Sequence, residues 1–335
     1  LFHEGCKAVR LFFAVVLALL LGTAGAAYWW LAQPLTLLTP TVDLSIEPGM
    51  SGREIASAVQ DAGVAVNPNL LYGWFRLSGV ARQIKAGSYE LDPQTTQRSL
   101  LQNLVRGEES LRSVTLVEGW TFRQVQDALG RAEQLKPDSR ALGAADLMAQ
   151  LGKPGSPIEG QFFPDTYTYS KGSSDLAVMR RAMRAMDKHL AAAWEVRDPN
   201  SPLASPQDAL VLASIVEKET GSPKDRTHIA AVFSNRLRIG MRLQTDPTVI
   251  YGMGAAFDGN LRKRDLQTDT PWNTYTRAGL PPTPISMPGK ASLLAAVQPA
   301  TSKALYFVAR GDGSSQFSNT LDEHNRAVNK FHRGQ

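Results

Sequence analysis

The sequence predicts an α+β protein tethered by a single N-terminal transmembrane helix, and three features carry that expectation. An uncharged apolar run fills residues 11–31. A strand, Gly turn and helix pattern occurs twice, beginning at Val42 and at Val114. From residue 175 onward, capped helical runs alternate with a proline-stiffened loop and a hairpin. The expected division is a cytoplasmic N-terminus (1–10), an anchor (11–31), a linker (32–40), a small α/β module (41–108) and a larger mixed α+β domain (109–335).

The anchor comes first. Twenty-one uncharged residues at a rise of 1.5 Å cross a hydrocarbon core of roughly 30 Å. Lys7 and Arg10 precede the run and no Lys or Arg follows until Arg53, so the N-terminus is expected inside and the rest outside. Tyr28, Trp29 and Trp30 stand where an interfacial aromatic belt belongs. A cleaved signal peptide is the alternative, with Ala24-Gly25-Ala26 as the processing site; continuation of the apolar run to Leu31 favours a retained anchor. The one cysteine, Cys6, precedes the run, so the exported part must be stabilised by its core without disulfides.

Composition narrows the function classes. With 43% apolar and 20% charged residues in 335, the chain can build two or three cores. The net charge of +5 is dispersed with no basic run interleaved with aromatics, which argues against nucleic acid as a partner. The five histidines are scattered without ligand spacing, and neither a P-loop, a dinucleotide fingerprint nor a GxSxG elbow is present. No metal or cofactor is expected.

After the linker, Val42 to Ile46 alternates as a strand, turns at Pro48-Gly49 and leads into a helix over 51–62. Leu70 to Leu77 reads as helix, Ile84 to Leu91 as strand and Arg98 to Val105 as a closing helix. This unit resembles the LysM-like modules of wall-binding proteins, although ordinary α+β packing produces the same pattern. The second copy pairs a strand at 114–119 with a helix at 121–129. A long helix is expected over 175–196.

The next helix carries the chemistry. Ser205-Pro206-Gln207-Asp208 is a strong start, and ALVLASIVEKET follows. At about 100° per residue, Ala209, Leu212, Ala213 and Val216 centre one apolar face, with Glu217 on one margin and Glu219 on the other. A carboxyl among apolar side chains favours its neutral form and can deliver a proton, as glycosidic cleavage requires. The plain alternative for Glu217 is an amphipathic-edge glutamate. Glu217 and Glu219 diverge by about 160°, so they cannot face each other as acid and nucleophile.

A helix at 227–239 ends at Gly240, and Arg242 to Gly252 follows. Asp246 before Pro247 most simply caps a short helix, yet Gln244, Thr245, Asp246 and Tyr251 also supply groups that a sugar site needs. Trp272-Asn273-Thr274-Tyr275 and Gly279-Leu280-Pro281-Pro282 form a shaped loop in which Asn273 and Tyr275 suit ligand orientation. A helix at 286–297, a hairpin from 305 to 318 and a helix capped by Thr320 and Glu323 complete the chain. His324 reads as structural.

Together EGQFFPDTY at 159–167, SIVEKET at 214–220, RLRIGMRLQTDPTVIYG at 236–252, NTYTRAGLPPTPI at 273–285 and LYFVARGDGSSQF at 305–317 closely resemble the YceG-like (MltG) family of endolytic peptidoglycan transglycosylases. The resemblance implies a single-pass inner-membrane protein with its catalytic domain in the periplasm. It also implies a catalytic glutamate at the first acid of VEKE, here Glu217; Gln244, Thr245, Asp246, Tyr251, Asn273 and Tyr275, all present in these motifs, are the residues expected to line the substrate site. The expected partners are peptidoglycan glycan strands and, as candidates, peptidoglycan synthases. The expected reaction is non-hydrolytic, closing a 1,6-anhydromuramoyl end. Two rivals stand beside it: a muramidase using Asp246 as second carboxylate, and a non-catalytic wall-binding scaffold.

Overall fold

The computed structural model describes residues 2–40, 42–107, 111–219 and 221–332. The side chains of Cys6, Lys7 and Arg10, and the expected boundary between 108 and 109, lie outside the described part. Helix α1 spans Phe2–Ala32, and Ala14–Ala32 within it is 19 residues long with mean hydropathy 1.8. That length and composition fit a membrane span, as either anchor or signal sequence.

The chain divides into two compact units: Leu1–Arg112 with Ser170–Gly172, and Ser113–Tyr169 with Ser173–Gln335. In the first unit the order is β1 (Val42–Ile46), α2 (Gly52–Asp61), α3 (Pro68–Leu77), β2 (Gly87–Leu91) and α4 (Gln97–Arg106). β1 and β2 pair antiparallel, Val42 opposite Leu91 and Ile46 opposite Gly87. Alternation buries Val42, Leu44 and Ile46 in one core with Ile55, Val59, Phe75, Leu100 and Leu104. Each fully buried large side chain there contributes about 2 kcal/mol. Helix α2 begins in a capping box: the Glu54 carboxylate accepts from Ser51 N (2.6 Å) and Ser51 Oγ accepts from Glu54 N (3.3 Å).

The second unit runs β3 (Leu111–Thr115), α5 (Phe122–Arg131), α6 (Ala144–Gln150), β4 (Thr166–Ser170), α7 (Asp175–Glu195), α8 (Pro206–Glu219), α9 (Arg226–Arg238), α10 (Asp246–Met253), α11 (Lys263–Gln267), α12 (Lys290–Val297), β5 (Tyr306–Ala309), β6 (Ser315–Ser318) and α13 (Leu321–His332). β3 lies beside β4, and β5 pairs antiparallel with β6. One core gathers β3, β4, α5, α6 and the first half of α7; the other surrounds α8. The start of α8 is fixed locally, since Ser205 Oγ accepts from Asp208 N (3.1 Å) and Asp208 accepts from Ala204 N (2.9 Å).

Helix α8 departs from the one-faced amphipathic helix read from its sequence. Every residue from Ala209 to Val216 is buried, because α7, α9, α10 and α12 surround it. A helix enclosed on all sides has no solvent margin until its last turn. Helix α12 begins at Lys290 rather than 286. Pro288 disfavours helical backbone in the residue before it, and Met287 instead donates to Trp120 O (2.7 Å) and accepts from Gly119 N (2.8 Å).

The turn at Gly160 packs closely against Pro284. Its φ is +79°, and a Cβ there would lie 2.6 Å from Pro284 Cβ and 2.7 Å from Pro284 Cγ. Gly160→Ala combines left-handed strain with overpacking, at a combined cost of about 3 kcal/mol. We expect the variant to melt roughly 5–10 °C below the parent by calorimetry; an unchanged melting temperature would show that this contact is slack.

Candidate active site

Helix α8 ends at Glu219, and its final turn emerges against the 242–248 segment. Glu219 accepts a hydrogen bond from Thr245 Oγ1. Thr245 is buried and its N–H donates to Thr274 Oγ1 (3.1 Å), while Gln244 N donates to Thr274 O (3.1 Å). Thr248 Oγ1 donates to Thr245 O (2.7 Å) and lies 2.9 Å from Thr274 Oγ1. These bonds lace two turns into one rigid wall. Gln244 pays for its place in that wall with a left-handed backbone, φ +50°, a strain found most often at functional positions.

Around Glu219 lies a cavity of about 440 Å³, lined also by Arg236, Gln244, Asp246, Tyr275, Tyr306, Phe307, Leu321 and His324. Tyr275 donates through its hydroxyl to Asp246 Oδ1 (2.6 Å). Arg236 donates from Nε to Leu305 O (2.7 Å) and from Nη1 to Leu243 O (2.5 Å), with its guanidinium 5.4 Å from the Tyr306 ring centroid. His324 stacks on the same Tyr306 ring, with 5.3 Å between the ring centroids. Among the described residues, His324 Nδ1 is buried without a hydrogen-bond partner.

The surroundings of Glu219 favour its neutral form. Burial pushes its carboxyl up from the ordinary range, the Asp246 charge adds to the rise, and the Thr245 bond and Arg236 oppose it. Burial and the Arg236 charge push His324 down, which favours neutral imidazole. Tyr275 is pushed up by burial and by its bond to Asp246, so its hydroxyl keeps its proton.

Glu217 sits elsewhere. Its Oε2 accepts from Gly289 N (2.9 Å), the residue that caps α12. The Glu118 carboxyl packs on the same glycine, where a Cβ would lie 1.8 Å from Glu118 Oε1. Glu118 is pushed up first by burial and then by the charge of Glu217, with Arg226 opposing. The structure therefore gives Glu217 a loop-holding contact, and gathers Gln244, Thr245, Asp246 and Tyr275 around Glu219 instead. The helical divergence of the two acids was legible in the sequence; which of them meets the QTD segment was not.

Two further residues fall differently from expectation. Asp246 does not cap α10: Thr245 occupies the cap and Asp246 the first helical position, which frees its carboxylate for Tyr275. Asn273 is fully buried, and its amide is engaged within the loop. Nδ2 donates to the carbonyls of Asp265, Leu266 and Thr268, and Oδ1 accepts from Tyr275 N (2.8 Å). It shapes the loop that presents Tyr275 and has no free group for substrate.

Tyr251 lies in a second, larger cavity of about 970 Å³ that includes Glu159, Phe122, Trp272 and Lys218. Glu159 is buried, accepting from Phe122 N (2.9 Å) and from the Tyr251 hydroxyl (3.2 Å). Burial pushes its carboxyl up to about 7, against the pull of those bonds. Arg236, Tyr306, His324 and Glu159 were not singled out from sequence as site residues, because periodicity does not reveal the burial of a charged side chain.

The chain resembles known proteins in both sequence and fold. The model of the YceG-like family matches residues 44–330. The endolytic murein transglycosylase of Bacillus subtilis (strain 168) is 32% identical over 310 residues, covering 87% of this chain and 85% of that protein. Its namesake from Streptococcus pneumoniae serotype 2 (strain D39) is 27% identical over 360 residues, covering 96% of this chain and 65% of that one. A crystal structure of a YceG-like protein from Listeria monocytogenes superposes with TM-score 0.56 at 30% identity, covering 86% of this chain and 98% of that chain.

Glu159 generates a pH effect with a defined sign. Its carboxyl ionises more readily in the unfolded chain, so its stabilising contribution is complete below about pH 4.5 and is lost as pH rises to about 7. The loss is roughly 3 kcal/mol. Denaturant titrations of Glu159→Gln should lack that decline; equal slopes for parent and variant between pH 5 and 8 would refute it.

Proposed function

Because the chain belongs to the YceG-like family, we propose that it is an endolytic lytic transglycosylase of peptidoglycan, cleaving the bond between N-acetylmuramic acid and N-acetylglucosamine. Its proton carrier is Glu219, in place of the Glu217 favoured by the motif. The observation that supports this is the Glu219 carboxyl itself: neutral-leaning through burial, aligned by Thr245, and facing a cavity that holds Asp246, Gln244 and Tyr275.

The chemistry follows from one acid acting twice. Glu219 protonates the bridging oxygen, the bond to the muramoyl anomeric carbon breaks, and positive charge develops on that carbon. The carboxylate then takes the proton of the muramoyl C6 hydroxyl, whose oxygen closes on the same carbon to give a 1,6-anhydro end. The nucleophile belongs to the reacting sugar, so its effective concentration replaces that of an activated water. Asp246 contributes negative charge beside the developing cation and keeps Tyr275 in place. The muramidase reading uses the same Asp246 to activate water, and its presence in the Glu219 cavity is the observation in that reading's favour.

We further propose that α1 is retained as a single inner-membrane anchor with both compact units in the periplasm, supported by the flanking Lys7 and Arg10. The β-α-α-β order of the first unit supports a LysM-like, wall-binding role.

Glu219→Gln should lower turnover of peptidoglycan strands by about 10²–10⁴-fold without unfolding the chain. Glu217→Gln should act chiefly on thermal stability. Mass spectrometry of parent digests should find 1,6-anhydromuramoyl ends. Reducing muramic ends would establish the muramidase, and full activity of Glu219→Gln would return the catalytic role to another acid.

A further inference from the structure

Bond cleavage at Glu219 leaves the larger cavity without a task, and its position gives it one. Lys218 and Glu219 are neighbours on α8, and Asp246 and Pro247 are neighbours at the start of α10. In each pair one residue lines the smaller cavity and the other the larger. The two cavities thus share two chain segments, the end of α8 and the start of α10.

The lining defines the ligand. Phe122, Ile158, Ile250, Tyr251 and Trp272 make an apolar floor. Arg123 and Lys218 are exposed at its margin, and among the described residues neither has an ion-pair partner; Lys218 donates a hydrogen bond to Gly119 O (3.3 Å). The one carboxyl in the lining, Glu159, is buried beneath Tyr251 and stays largely protonated up to about pH 7. An apolar floor with two cations and no exposed anion suits a ligand of small apolar side chains bearing free carboxylates.

The glycan backbone offers no such groups, whereas the stem peptide on each muramoyl lactyl group alternates alanyl methyls with carboxylates. We propose that this cavity docks the acidic stem peptide of the muramoyl residue being cleaved. The inference rests on the transglycosylase reading for its substrate, and its binding test is independent of cleavage.

Calorimetry of the full-length chain with an isolated stem tetrapeptide reads the cavity directly. Binding should weaken about tenfold or more in Arg123→Glu, recover in Arg123→Lys, and fall similarly when the peptide carboxylates are blocked as amides. In cleavage assays, the ratio of kcat/KM on peptide-bearing strands to that on amidase-stripped strands should drop by about tenfold in Arg123→Glu, mainly through KM. Absence of peptide binding by the parent, or binding indifferent to Arg123, overturns the proposal. Peptide binding with no cleavage of either strand would retain the docking site and reject the transglycosylase.

Discussion

Everything at the centre of this protein depends on the enclosure of α8. Helices α7, α9, α10 and α12 bury it from Ala209 to Val216, which fixes the rotation of its last turn. Two acids separated by one residue then point about 160° apart, and packing decides which one meets which wall. Glu219 is delivered to the polar wall of the QTD segment and the 273–275 turn, while Glu217 is delivered to the backbone of Gly289. A rotation of α8 by a fraction of a turn would exchange those surroundings, so the aliphatic packing of the helix decides where each carboxyl sits.

The wall opposite Glu219 is rigid for reasons visible bond by bond. The buried hydroxyls of Thr248 and Thr274 bond each other and the backbone of Thr245, Asn273 ties its loop to three carbonyls, and Arg236 holds Leu243 and Leu305 from behind. Such prearranged dipoles stabilise developing charge without having to reorganise during the reaction. The left-handed Gln244 belongs to the same wall, its strain held in place by the network.

Local signals in the sequence were read with fidelity. Ser205 with Asp208 and Thr320 with Glu323 each place a helix start within a residue or two, because a cap is a contact between near neighbours. The apolar run of α1 and the hairpin of β5 and β6 were legible for the same reason. What failed was anything requiring a distant partner. The full enclosure of α8, the pairing of Met287 with Gly119 and Trp120, and the neutral-leaning Glu159 all depend on residues far away in the chain. The surroundings of Glu217 and Glu219 are likewise assigned only by the fold, since the motif supplies both acids.

The account therefore turns on where the scissile oxygen comes to rest. A crystal structure of the Glu219→Gln chain with a bound glycan fragment measures this directly. The account places the bridging oxygen about 3 Å from the side-chain amide at position 219. A fragment whose bridging oxygen instead meets Glu217, with position 219 out of reach, would contradict it.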